Sequence, residues 1–538
     1  MRIPLPHLVI VVLLLPTVTF AQSFYPDDPL LKDPSPRDAS GVKAQKLDDY
    51  YDLIENSFSG KGKPKKEVAP PPARNINTLG EPMDGAWYTH RHYWKPMSDE
   101  DLARGPGGKN PPSSEGPWRI TSAKTEGISP GFVMKDSKGD RYFVKFDPLS
   151  NPELATGAEM ISARMFYALG YHVPDYYLIH FTRAKLVLGE GVEFVDEEGR
   201  KRKMDPTDID KLLAKVPPAG DGGYRAIVSV QLPGKPKGPF QYFGVRSDDP
   251  NDVVPHEHRR ELRGMYVFAA WLNHNDSRSI NTFDTLVNDG GSAYLRHYLI
   301  DFGSTLGSWS TAAKPARVGG EYYLGFNDAP KQMLTFGLLV PYWAKARYPG
   351  YSSVGGFDSA AFEPDKWLPD YPNAAFLNRL PDDEFWAAKQ VMAVTDEQIR
   401  AIVKTAQYSD PKVEQYIANT LIVRRDKIGK VFLDRVLPLD KFGVENGELI
   451  FHDLAREYNL KTNGQFQIAW SHFDNQSQKK TPIASVTGFR LPSEALKGSS
   501  VSYVTADTWR GDDKKKAVTV YLRIEEGSSE VVGVDRTW

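Results

Sequence analysis

The stretch that most constrains this chain runs from Pro255 to Gly303. Leu262, Met265, Phe268, Ala269 and Leu272 recur at helical spacing, which predicts one long helix from Pro255 to about Asn273. A polar loop, Asn275-Asp276-Ser277-Arg278-Ser279-Ile280-Asn281, follows directly. Two runs of strand type, Thr282–Val287 and Tyr294–Ile300, flank Asn288-Asp289-Gly290-Gly291 and read as a hairpin. The second run ends on Asp301-Phe302-Gly303. An Asp five residues before an Asn, then a second Asp at a strand end, can set one carboxylate and two oxygen ligands around a metal-bound polyphosphate.

Upstream the pattern is different. From Trp118 short strand-like runs are separated by turn residues: Arg119–Ala123, Gly131–Lys135 and Asp140–Phe146. A helix is predicted from about Pro152 to Leu169, with Ile161, Met165 and Leu169 on one face and Gly170 as its stop. Further strands are expected at Asp175–Phe181, Lys185–Phe194 and Ala226–Gln231, with the charged run Asp196 to Lys203 as a turn. Beyond Asp301 the chain is loop-rich to about residue 380 and then helical over Asp382–Met392, the turns after the capping box Thr395-Asp-Glu-Gln398, and Pro411–Val436. After Val444 strands return, and Val518–Ile524 alternates apolar and polar positions.

The N-terminus begins Met1-Arg2, continues with an apolar run from Leu8 to Leu15 and ends Thr19-Phe20-Ala21, the pattern of a cleaved export signal. That run is shorter than the roughly 20 residues a membrane span needs. The 538 residues include no cysteine, which excludes disulfides, thiolate metal sites and a lipid-anchored cysteine. An exported chain of this kind suits a periplasm or the outside medium. A net charge of −2 gives no general attraction to nucleic acid or an anionic membrane, and no stable membrane anchor is expected after cleavage. Residues 22–75 are expected to be poorly structured apart from a helix at Asp48–Phe58, with Lys61 to Pro72 as a solvated linker. The aromatic segment Trp87–Trp94 is expected to dock on the following domain.

Phosphoryl transfer asks the protein for positioning and charge rather than covalent chemistry. Asp276 can accept or orient the proton of an attacking hydroxyl, Arg278 can reach a transferred phosphate, and Asn281 and Asp301 can hold Mg²⁺ through oxygen. Lys145 ends the alternating run Tyr142-Phe-Val-Lys145 and, pointing inward, needs an anion; Glu159 on the next helix can lock it over phosphates. Gly127 to Gly131 can form a phosphate-covering turn between the first two strands. His256, His258, His90 and His92 are weaker metal candidates, being pairs without a clear third ligand.

On Lys145, Glu159, the Asp276 to Asn281 loop and Asp301-Phe302-Gly303, taken in that order, the region from Trp118 to Arg435 resembles the protein-kinase-like superfamily, closest to its atypical HipA-type and phosphatidylinositol-kinase-like branch. The resemblance implies an α+β, two-lobed fold with ATP and Mg²⁺ in the cleft. Residues 118–232 would be a β-rich N-lobe and 233–443 a helical C-lobe, following a linker and docking segment at 22–117 and carrying an added β-rich domain at 444–538. It also implies a hinge near Val230-Gln231-Leu232 whose backbone holds adenine. His274-Asn275 stands where the family has His-Arg, and no Ala-Pro-Glu motif follows Asp301. Three functions therefore compete. One is an exported phosphotransferase acting on a protein, glycan or lipid, with nucleotidyl transfer open to the same metal site. The second is a binding protein that keeps the fold, and the third is a metal-dependent hydrolase built on Asp276 and Asp301. The acceptor and the oligomeric state are not encoded in any motif.

Overall fold

The computed structural model describes residues 22–108, 110–123, 130–195, 200–220, 222–325, 333–334, 340–483, 488–494 and 501–538. The export-signal segment therefore lies outside the described residues. The described residues between 22 and 117 are mostly extended coil with two helices, α1 (Asp49–Phe58) and α2 (Asp99–Arg104). It is not the loosely structured leader expected from composition. Phe24 packs against Phe473, Tyr503 and Tyr521, while Ala39 and Val42 are buried with Leu295. Single apolar residues at wide intervals, each buried on a different distant element, carry no periodicity to read. Trp87, Tyr88 and Tyr93 are buried, so the aromatic segment does pack on the body of the molecule.

Six strands form the first sheet: β1 (Trp118–Ala123), β2 (Gly131–Lys135), β3 (Arg141–Lys145), β4 (Tyr176–Phe181), β5 (Leu186–Leu188) and β8 (Tyr224–Val230), in the spatial order β4-β8-β3-β2-β1-β5. The predicted strand Lys185–Phe194 is broken. Gly189 and Gly191 end β5, Gly191 sits at φ 66°, and the chain restarts as β6 (Glu193–Val195) paired with β7 (Lys201–Lys203). The charged turn assigned to Asp196–Lys203 lies in part outside the described residues. Alternation along β3 sends Tyr142 and Val144 into a core with Ile120, Phe132 and Phe146. Lys145 leaves on the opposite face, toward α3 (Leu154–Ala168). Asp147 fixes the start of α3, accepting from the Thr156 backbone N–H at 2.8 Å and its hydroxyl at 2.7 Å. Pairing across β6 and β7 is followed by α4 (Pro206–Leu213) before the chain returns as β8.

The second half is mainly helical. After β9 (Lys235–Gly238), α5 (Arg260–Leu272) is buried along its whole length. The helix begins about a turn later than the predicted Pro255 because Arg259 is extended, leaving His256–His258 as a separate 3-10 turn. Gly264 lets α5 approach α7 closely: a Cβ there would lie 2.5 Å from the Trp386 ring. β10 (Thr282–Val287) and β11 (Tyr294–Leu299) form the expected hairpin and β9 adds to its edge. Then come α6 (Ala374–Leu377), α7 (Pro381–Met392), α8 (Asp396–Lys404) behind the Thr395/Gln398 capping box, and α9 (Pro411–Phe432). Arg225 of β8 donates to the Ala406 and Gln407 carbonyls at 2.7 and 2.8 Å, tying the first sheet to the helical half.

Strands resume at Leu439, slightly earlier than expected. β12 (Leu439–Glu445) pairs with β13 (Glu448–Asp453), and α10 (Leu454–Glu457) leads to a sheet of β14 (Phe466–Phe473), β15 (Lys480–Pro482), β16 (Ser502–Arg510), β17 (Asp513–Glu525) and β18 (Ser528–Arg536). A buried ionic network fastens this region to the rest. Lys389 of α7 reaches Glu81 at 2.6 Å and Asp440 at 2.7 Å, and Asp440 also accepts from Tyr93 at 2.7 Å and Arg536 at 3.1 Å. The molecule is thus a mixed α/β structure, and no helix among the described residues is long and apolar enough to cross a membrane.

Candidate functional site

The site is assembled where the end of β3, the middle of α3, the loop after α5 and the end of β11 meet. Lys145 Nζ lies 2.9 Å from Glu159 Oε1 and 2.8 Å from Asp301 Oδ1. Burial alone depresses the Lys145 ammonium, but Asp301 and Glu159 together outweigh it and the net direction is upward. The Glu159 carboxyl is also pushed up, first by burial, with Lys145 opposing and Asp301 adding repulsion. One cation is thus shared between the buried Glu159 carboxylate and the partly exposed Asp301 carboxylate.

Asp301 adopts a left-handed backbone at φ 60°, an unfavourable conformation for a residue other than glycine. Its neighbours hold it there. Phe302 is buried, stacked on Phe166 of α3 at 5.1 Å and set against the His274 ring at 5.9 Å. Three residues on, the Thr305 and Ser162 hydroxyls meet at 2.7 Å. Gly303 leaves the space beside Asp301 open, since a Cβ would come within 2.9 Å of Ser310 Oγ.

α5 terminates on Asn273, itself left-handed at φ 52°, and the chain enters the loop carrying Asp276. Asp276 is buried and paired with the Arg278 guanidinium. Burial raises its carboxyl, Arg278 opposes that, and Asp301 raises it further. Asn281 donates its Nδ2 to the Asp276 carbonyl at 2.8 Å, which assigns Oδ1 as the free acceptor face of the amide. The Ile300 N–H donates to the Asn281 carbonyl at 2.9 Å, so the loop and the strand that delivers Asp301 are hydrogen-bonded to each other. Glu159, Asp276 and Asp301 therefore stand as three carboxylates against the cations of Lys145 and Arg278.

The other expected positions divide. Gly131 is the direct partner of Lys145 across β2 and β3, at the mouth of the site. Gly127, and with it most of the turn between β1 and β2, lies outside the described residues. The Gln231 backbone N–H donates to the Arg141 carbonyl at 3.1 Å, extending the β3–β8 pairing by one residue. The histidine pairs are structural. His90 contacts Asp84 at 2.7 Å, His256 contacts Asp252 at 2.8 Å, His92 lies 3.2 Å from the Ala393 carbonyl, and His258 accepts from Arg263 at 2.7 Å.

Several groups at the site were given no site role by the sequence. Asp370 accepts from the Asn275 side chain, and burial followed by the nearby Asp276 pushes its carboxyl up to about 6. His274 is buried between Phe166 and Phe302, and burial pulls its imidazole down to about 3. α1 lies against the loop from the Arg278 side: Asp49 reaches the Arg278 guanidinium at 2.7 Å, and Asp52, buried, bonds the Tyr371 hydroxyl. α1 turns Asp52 and Asn56 inward while Tyr50, Tyr51, Ile54 and Phe58 are exposed, the reverse of an ordinary amphipathic helix.

Lys145, Glu159, Ile227, Asp301, Gly303 and Ser310 border a small, partly open space of about 10 Å³, room for about one water. Among the described residues no three His, Asp or Glu side chains are placed to hold a metal by themselves. Asn281 Oδ1 and the Asp301 carboxylate fit a hard cation that takes its remaining ligands from phosphate and water.

No family model matches the chain, and no curated protein does. Solved structures to which it is similar include the Helicobacter pylori proinflammatory kinase CtkA, at 11% identity and a TM-score of 0.31, covering 59% of this chain and 98% of that one. The Golgi casein kinase with Mn/ADP bound is similar at 10% identity and a TM-score of 0.28, covering 60% of this chain and 73% of that one. A second structure of the Golgi casein kinase gives 9% identity, a TM-score of 0.28, and coverage of 59% and 71%.

Proposed function

We propose that this chain is an exported kinase-like phosphotransferase of the atypical branch, using ATP and a divalent cation, Mg²⁺ by its oxygen ligands, to modify a protein, glycan or lipid acceptor. The observation that carries the reading is the placement of Lys145 between Glu159 and Asp301, with Asp276 and Asn281 on the loop bonded to the same strand. Three carboxylates facing two cations form a site that gains from a further positive charge. A bound nucleoside triphosphate with its cation supplies the electrophilic phosphoryl group and neutralises its developing charge.

The chain's own residues do the rest. Lys145, held by Glu159, presents an ammonium for phosphate oxygens. The Asp301 carboxylate and Asn281 Oδ1 hold the cation, and the strained backbone of Asp301 fixes the direction of its side chain. Asp276 accepts the proton of an acceptor hydroxyl; its raised affinity for a proton, caused first by burial, makes it a stronger base than a free carboxylate. Arg278 keeps that carboxylate oriented and brings positive charge beside it.

Melting the purified chain with and without ATP and Mg²⁺, beside Asp301→Ala, tests the reading. Ligand at about 100 times its Kd stabilises the native state by about 2.7 kcal/mol. A melting shift in wild type that Asp301→Ala abolishes, with transfer of the γ-phosphate to an acceptor or to the chain itself, is the expected result. No shift in wild type refutes nucleotide use, and a shift without transfer favours the binding protein.

A further inference from the structure

The loop with Asp276 and the segment after Asp301 come from different elements, yet the proposed chemistry needs a fixed separation between them. Two backbone bonds already join them: Ile300 N–H to Asn281, and Leu306 N–H to the Leu272 carbonyl at 2.9 Å. Between these lies a third junction of a different kind. Lys314 is completely buried, and its Nζ donates to the Asn273 carbonyl at 2.8 Å and to the Ser304 carbonyl at 2.7 Å.

The placement of those acceptors is informative. Asn273 ends α5 in the left-handed region, so its carbonyl points out of the helix and has no helical N–H to meet. It stands three residues before Asp276. Ser304 stands three residues after Asp301, at the point where the chain turns away from Phe302. One ammonium thus satisfies one carbonyl from each loop. Lys314 is itself held by its backbone, donating to the Gly307 carbonyl at 2.8 Å and accepting from Gly356 at 3.0 Å.

A lysine is a costly way to fill that volume. No carboxylate touches Nζ among its bonds; burial, the largest influence, pulls the ammonium down to about 7, with Asp370 and Asp276 opposing from a distance and Arg424 reinforcing it. A methionine would fill the same space without a charge to desolvate. What it could not supply is two N–H donors at one point: the Asn273 carbonyl would lose its partner and the Ser304 carbonyl would keep only the His274 ring.

We propose that Lys314 is a positioning residue that bolts the loop carrying Asp276 to the segment carrying Asp301, setting the distance between the base and the metal-holding carboxylate. This rests on the phosphotransferase reading for its purpose, but its structural content can be measured without any ligand.

The test is amide hydrogen exchange on the full chain without nucleotide, comparing wild type with Lys314→Met. Exchange is expected to accelerate about tenfold or more over both 273–281 and 301–308, with β16–β18 unchanged. No change in either segment overturns the proposal, and so does a change in only one, because a bolt loosens both parts. Loss of protection throughout, β16–β18 included, overturns it too by making Lys314 a general core residue. Where wild type transfers phosphate, Lys314→Met should lower kcat about tenfold or more while KM for ATP stays within about threefold; an unchanged kcat with loosened loops refutes the positioning role. A wild type with no response to nucleotide would sink the phosphotransferase reading and leave the exchange result standing.

Discussion

His274 offers a quantitative test of how the site is packed. Its ring is completely buried against Phe166 at 5.6 Å and Phe302 at 5.9 Å, and its Nδ1 has no hydrogen-bond partner. Burial, helped by the Lys314 charge and opposed by the Ser304 backbone, lowers its proton affinity from the ordinary 6.5 to about 3. In the unfolded chain the same imidazole titrates near its ordinary value. Below that value the unfolded state takes up a proton that the folded state refuses, so stability falls as pH drops from 6.5 toward 3. At about pH 4.5, some two units into that window at about 1.4 kcal/mol per unit, the loss is about 2.7 kcal/mol. His274→Phe keeps a flat ring and removes the titration. It should cost about 1 kcal/mol at about pH 7.5, where a hydrogen bond to the Ser304 carbonyl is lost. At about pH 4.5 it should be more stable than wild type by about 1 to 2 kcal/mol. Equilibrium urea unfolding at the two pH values gives both numbers, and other titrating groups cancel in the difference. A wild-type-minus-variant difference that stays constant within about 0.5 kcal/mol between the two pH values refutes the buried, neutral imidazole.

Two further predictions concern charge. Lys145→Met leaves Glu159 and Asp301 without their cation and should destabilise the chain by about 3 kcal/mol, whereas Lys145→Met with Glu159→Leu should recover most of that loss. Urea unfolding of the cycle decides it, and additive single effects would show that the pair is not coupled. Asp49→Ala removes the Arg278 contact of α1, an exposed pair worth about 0.5 kcal/mol. Because an isolated helix this short is marginal in water, limited proteolysis within Ser59–Pro72 should quicken without a change in overall melting, and unaltered cleavage would mean that other contacts hold α1.

What could be read from the sequence was what repeats or alternates. The apolar spacing of α5, the alternation of β3 and the capping box before α8 each announced an element; of the residues singled out, Lys145, Glu159 and Asp301 are in contact, and Asp276 and Asn281 lie on a loop bonded to Ile300. The misses share a cause. Lys314, Asp370 and Tyr371 sit in a loop-rich stretch with no period, and each acts through a contact with a residue far away in the chain. Gln231 was legible as the end of the strand Ala226–Gln231, and its N–H does continue the ladder to the Arg141 carbonyl. The break at Gly189-Glu190-Gly191 was legible as turn residues, but apolar neighbours on both sides masked it.

α1 approaches the site with its carboxylates and leaves its aromatic side in water. The Arg278 guanidinium, paired with Asp276, is also engaged by Asp49 of α1. Because α1 is part of the same chain, joined through the Ser59–Pro72 stretch, its local concentration at that surface is set by the tether and lies in the millimolar range. On the phosphotransferase reading, an acceptor at micromolar levels that has to reach Arg278 would meet that competitor. The rate at which it is modified would then report the opening of α1 together with the chemistry.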